Sequence, residues 1–267
     1  MTPVIAAVEW GGEFEGALDP IGHLFNFPPI VEFSLFGLDL SINRTILIAW
    51  FMTLLCGLFF VAAFRKATVV PGKLQALGEA VLGFVREVAL DIIGPKGLKF
   101  VPLLTTMFVF VFFMNIAKIT PFLMLPPTSR IALPLFLAVI AWGVYIYVGI
   151  REQGFVHYFK GIMFPPGVPW PVYIILTPIE LATILILRPF TLTVRLFANM
   201  VAGHILVVIT LVTIHVFLYP RPGLPVGIAA FVAAPLVFAF ELLIISLQAY
   251  IFVLLTAVYI SSSMEAH

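Results

Sequence analysis

Residues 45–64, TILIAWFMTLLCGLFFVAAF, run from Arg44 to Arg65 without a charge. As a helix, such a run rises about 30 Å, the thickness of a bilayer's hydrocarbon core. Two more stretches have the same form: 100–117 between Lys99 and Lys118, and 131–150 between Arg130 and Arg151. Two further apolar regions, 171–219 and 224–262, are longer and contain charges. The composition agrees: 62% of the 267 residues are hydrophobic and 10% charged, whereas a soluble domain carries about a quarter of its residues as charge. A water-soluble fold is excluded, and the reading is an all-α polytopic membrane protein with about five transmembrane helices. With 14 bases against 13 acids, the net charge of +1 argues for no nucleic-acid partner. The single Cys56 excludes an intramolecular disulfide and a Cys-based metal cluster, and inside an apolar run it reads as a small hydrophobe.

Outside the spans the chain divides into an N-terminal external segment, 1–44, a single transmembrane domain, 45–262, and a short tail, 263–267. Residues 1–18 carry Glu9, Glu13 and Glu15, no Lys or Arg and no sustained apolar core, so they do not read as a signal peptide and are expected to be retained. Between the first two spans, Leu74, Leu77, Val81, Phe84, Val85, Val88 and Ile92 recur at helical spacing among Lys73, Glu79, Arg86, Glu87 and Asp91. That pattern predicts an amphipathic helix over 71–93, lying in the interface plane. Residues 119–130 and 161–171 are Pro-rich connectors, where missing amide donors forbid a continuous helix. With the N terminus outside, the inner segments hold eight Lys and Arg and the outer ones four. The expected topology is therefore N terminus outside and C terminus cytoplasmic.

Charge within the last two regions points to function. Arg188 and Arg195 lie inside the fourth, and an intramembrane cation costs at least about 2.5 to 3.5 kcal/mol at mid-helix. Arg188, next to Pro189, is placed to snorkel; Arg195 lies deeper, with Asn199 one turn on. Glu180, His204, His215, Glu241 and Gln248 complete the set. If the regions fold back at Pro220-Arg221-Pro222-Gly223, an antiparallel register about residue 222 brings His204 towards Glu241 and Arg195 towards Gln248. Nine residues at 100° each separate Arg195 from His204, which therefore leave opposite sides of one helix. A titratable Glu/His pair beside a separate permanent cation reads as a proton relay next to an electrostatic barrier. Sodium coordination would need several clustered oxygen ligands, which these segments do not supply.

The run RPFTLTVRLFANMVAGHILVVI (188–209) with FELLIISLQAYIFVLLTAVYI (240–260) after it closely resembles subunit a of rotary F-type ATP synthases. The resemblance extends through GLKFVPLLTTMFVFVFFMNIAKITPF (97–122), PPT (126–128) and TPIEL (177–181), and so covers most of 40–262. FANM with AGH, and the placement of His204 and Glu241, are closer to actinobacterial versions than to enterobacterial ones, which carry the His and Glu in exchanged places. The resemblance implies that Arg195 is the essential arginine facing a ring of c subunits, with Asn199 beside it. It further implies that Glu241, His204, Gln248 and Asn199 line the path from the outer aqueous half-channel, and that Glu180 lies near the inner one. The implied partners are the c-subunit ring, b-type peripheral stalk subunits, the lipid bilayer and, indirectly, the soluble F1 sector. The implied location is a bacterial plasma membrane. No cofactor and no metal are expected, and no G-x-x-x-x-G-K-[ST] loop occurs.

Two rival classes compete with this reading. A proton-coupled secondary transporter would show two related halves with interrupted helices in both, whereas here polarity concentrates in the last third. A structural membrane subunit of a respiratory complex would have no need of Arg195 and Glu241 in lipid. The chain length also constrains shape: residues 171–218, 48 in number, would run about 72 Å as one helix, more than twice the hydrocarbon thickness. The last two regions are expected to form a tilted or bent hairpin with bends near Pro189 or Pro235.

Overall fold

The computed structural model describes residues 34–35, 38–39, 42–65, 68–120, 123, 125–164, 169–218 and 223–264. Most of the N-terminal segment, the turn residues 219–222 and the tail end 265–267, about which the sequence raised expectations, lie outside them. A two-residue antiparallel pair, β1 (Ser34–Leu35) and β2 (Leu38–Asp39), precedes an otherwise helical chain. The helices are α1 (Arg44–Phe64), α2 (Lys73–Ile93), α3 (Val101–Ile116), α4 (Ala132–Gln153), α5 (Phe155–Met163), α6 (Tyr173–Ala182), α7 (Arg188–Leu218) and α8 (Leu224–Met264). Among the described residues, five helical runs are long and apolar enough to cross a membrane: 44–64, 95–116, 132–153, 170–218 and 224–264. They match the five spans read from the sequence, because in lipid every backbone amide must be satisfied within its own helix and an uncharged run of sufficient length leaves no alternative.

The chain forms two compact units assembled from separated segments: residues 1–52, 114–130 and 198–246 in one, and 53–113, 131–197 and 247–267 in the other. In the second unit the core joins Val85 and Ala89 of α2, Leu104, Met107 and Val111 of α3, Leu137, Ala138 and Ala141 of α4, Leu192 and Leu196 of α7, and Ala249, Phe252 and Val253 of α8. Ser261 Oγ donates to the Ile92 carbonyl, 3.0 Å away, fixing the end of α2 to α8.

Only part of the apolar stripe of α2 is turned into this interior. The buried side of α2 is Gln75, Gly78, Val85, Val88 and Ala89, while Leu74, Leu77 and Phe84 stay exposed. Small residues permit close helix approach, and without a hydrophobic drive between helices in lipid, close packing selects the interface. Gly78 illustrates the point, since a Cβ there would lie 3.0 Å from the Phe64 ring and 3.1 Å from Ala63. Gly94 ends α2 with φ of 81°, a conformation costly for any residue with a side chain.

The fourth span is interrupted where Pro189 predicted a bend. Residues Thr183–Leu187 form a π-helical turn between α6 and α7, in which the Arg188 amide bonds back five residues to Thr183. The same spacing would pair the Ile184 carbonyl with the amide of residue 189, but that residue is proline and has none. The Tyr145 hydroxyl supplies the missing donor at 2.6 Å. Pro235, by contrast, sits inside an uninterrupted α8. The hairpin register can be read in the first unit, where a Cβ on Gly227 would meet the Leu218 amide nitrogen at 2.6 Å and one on Gly203 would meet a Glu241 oxygen at 2.6 Å. Both pairs centre on residue 222 or 222.5.

Candidate functional site

The spacing of α7 segregates its polar residues. Met200, Gly203, His204 and Val207 are buried, at i, i+3, i+4 and i+7. Arg195 and Asn199 are exposed, on a side that also shows Leu187, Phe190, Val194, Leu206 and Ile209. None of the ion pairs among the described residues involves Arg195. The helix therefore presents a guanidinium within an apolar surface and turns an imidazole inward.

On α8, Glu241 and Ile245 face the interior of the first unit, and Glu241 has no exposed surface. Its carboxylate forms an ion pair with Lys118, which is equally enclosed. Gly203 lies against both charged groups, and a Cβ there would fall 2.6 and 2.8 Å from the Glu241 oxygens and would also press on the Lys118 Nζ. Only glycine leaves room for the pair. Lys118 itself sits in the turn that ends α3, where its amide bonds to the Asn115 carbonyl at 3.2 Å. The Asn115 side chain in turn accepts the Thr128 hydroxyl at 2.7 Å, tying the end of α3 to the connector beyond.

Sequence reasoning missed Lys118, counting it as an outer-loop charge. A signal was present: between Lys99 and Arg130 it is the sole charged residue, and the stretch 119–127 beyond it is apolar and Pro-rich instead of a solvated loop. A cation so placed must find a carboxylate or reach water.

Of the other singled-out residues, Gln248 is buried in the second unit, beside Ala249 and Phe252. Glu180 is half-buried on α6, whose Thr177 hydroxyl donates to the Met163 carbonyl at 2.6 Å. His215 is exposed. Arg188 is held within the second unit: its guanidinium lies 5.9 Å from the Tyr145 ring centre and 5.0 Å from that of Tyr259, and it donates to Ser262 Oγ at 3.3 Å. These contacts fix it at the π turn, replacing the expected snorkelling with cation–π packing.

The arrangement combines an enclosed carboxylate near an imidazole with a guanidinium displayed on an apolar face. The first can take up and pass on protons, and the second can attract a carboxylate from outside the chain. Comparison with known proteins identifies the family. The ATP synthase A chain family matches residues 46–261. The chain is 44% identical over 246 residues to ATP synthase subunit a of Rhodococcus erythropolis, covering 90% of this chain and 88% of the relative. It is 39% identical to the subunit a of Frankia alni (94% and 87% covered) and 38% identical to that of a Nocardioides species (97% of each). The chain therefore belongs to the ATP synthase subunit a family, the proton-translocating membrane subunit of F-type ATP synthases.

Proposed function

We propose that Arg195, Asn199, His204, Glu241, Gln248 and Glu180 form the proton-handling set of this subunit. Glu241, His204, Gln248 and Asn199 serve the outer half-channel, and Glu180 stands near the inner one. The observation that carries this reading is the segregation on α7, with Arg195 exposed and His204 buried. A cation shown to lipid is stable only against an anion brought by a partner, and a ring of c subunits carrying a carboxylate each supplies that anion. Arg195 favours the ionised carboxylate as it passes, so the proton leaves on one side of the arginine and a new one is taken on the other side. The fixed charge also bars protons from leaking directly between the half-channels, which ties transport to rotation.

The remaining parts of the reading rest on the same logic. The partners are the c ring, b-type stalk subunits and the bilayer, with the soluble F1 sector engaged only indirectly, and residues 45–262 act as one transmembrane domain. The location is a bacterial plasma membrane, with the N terminus outside and the C terminus cytoplasmic. The enclosure of Lys118 sharpens that orientation, because a buried, paired lysine no longer counts as an outer-loop charge. The transported ion is the proton, since the enclosed group is a single carboxylate near an imidazole and not a cluster of oxygens.

The test is Arg195→Ala in the complete complex reconstituted into vesicles. Coupled ATP synthesis is expected to vanish while the complex still assembles, and Arg195→Lys is expected to fail or nearly fail, because an ammonium is a compact, strongly hydrated charge whose protonation changes when desolvated. Normal coupled synthesis by the alanine variant would overturn the reading.

A further inference from the structure

Lys118 and Glu241 come from distant parts of the sequence and meet with no exposed surface on either side chain. Taking two charges out of water costs several kcal/mol per ion, and an ion pair offsets this only when its geometry is good. As a device for stability alone such a pair is a poor choice, since apolar residues of similar volume serve equally well or better. Its setting points elsewhere. Gly203 opens the space that the pair occupies, Glu241 packs against it, and His204 is the next residue on the same helix.

We propose that Lys118 is a positioning residue of the proton path, holding the Glu241 carboxylate against Gly203 beside His204 and releasing it each time the carboxylate takes a proton. The inference rests on the path proposed above. When a proton arrives from the aqueous side it bonds to a Glu241 oxygen, the group becomes a neutral acid, and the attraction to the ammonium is lost. The proton then moves to the neutral imidazole of His204, giving an imidazolium and a carboxylate. The carboxylate re-forms its pair with Lys118, and the imidazolium passes its proton onward. Protons and charge balance at every step, and Lys118 keeps its own three hydrogens throughout. The proton and the ammonium compete for the same oxygens, so each transfer resets the carboxylate to one position.

The test uses the complete complex in vesicles and reads proton pumping and ATP synthesis per assembled complex, together with assembly. Lys118→Met is expected to slow both rates at least about tenfold, less than the roughly hundredfold or more for loss of an acid–base group itself, because Lys118 acts through Glu241. Lys118→Arg, which keeps the charge, is expected to recover most of the rate. In the Glu241→Gln background, Lys118→Met is expected to cost nothing further and to improve assembly, because both buried charges are then gone. Three outcomes would overturn the assignment: Lys118→Met transporting at the parent rate, Lys118→Arg losing as much as Lys118→Met, or Lys118→Met slowing the Glu241→Gln variant further. The double variant decides the matter even if Lys118→Met alone fails to assemble. A Glu241→Gln variant at the parent rate would instead sink the path itself, so the two failures are distinguishable.

Discussion

Among the described residues, a buried lysine and a part-buried arginine are satisfied in different ways. Lys118, in the first unit, meets the Glu241 carboxylate beside Gly203. Arg188, in the second, lies over the rings of Tyr145 and Tyr259 and donates to Ser262. Aromatic rings and a hydroxyl stabilise a guanidinium without exchanging protons at ordinary pH. A carboxylate stabilises an ammonium and can also become an acid. The first environment is built for a charge that comes and goes, and the second for one that stays. On the function proposed above, the Lys118 pair handles proton traffic, whereas Arg188 defines the π turn.

The strongest way to break this contrast is at the carboxylate. Glu241→Gln and His204→Ala are each expected to reduce proton pumping about a hundredfold, within the range for loss of a general acid or base. The double variant should be little worse than either single one, as for residues on one relay. If the two loss factors multiply instead, the pair does not act as a unit and the contrast falls. Passive proton conductance is expected to stay at the parent level in all three, because the barrier proposed at Arg195 is untouched.

A smaller effect is expected at Gly203, where a methyl group would displace Glu241 and Lys118. Gly203→Ala should lower the melting temperature of the purified complex, consistent with overpacking of about 1 to 3 kcal/mol, and slow pumping in parallel. Unchanged pumping would mean that the pair tolerates displacement and that its position does not matter.

The second environment should respond in stability alone. Arg188→Met is expected to leave pumping per assembled complex within about twofold of the parent while costing about 1 to 2 kcal/mol of stability, the scale of a desolvated cation–π contact. A large fall in pumping with normal assembly would move Arg188 into the transport machinery. The smallest effect belongs to Tyr145→Phe, which removes the donor to the Ile184 carbonyl. The expected loss is about 1 kcal/mol, the cost of one buried carbonyl left unsatisfied, with transport unchanged. Thermal unfolding of the complex would show it.

The sequence by itself determined the spans, because crossing a bilayer demands only a long uncharged run whose backbone bonds close within it, and both are local properties. It also determined that Arg195 and His204 leave opposite sides of α7, since the turn per residue is fixed. The extent of each apolar run, the antiparallel register and an interruption near Pro189 were legible too. Only the tertiary structure decided the company each residue keeps. Lys118 read as a loop charge until α3, α7 and α8 enclosed it with Glu241. The apolar stripe of α2 was legible, but which residues turn inward, Val85 and Val88 together with Gly78 and Ala89, was not. The carbonyl that Pro189 orphans found its donor on α4, in Tyr145. Helical periodicity fixes which side of a helix a group leaves from, but the neighbour it meets depends on how separate helices pack, and that is settled by volume and charge contributed from distant parts of the chain.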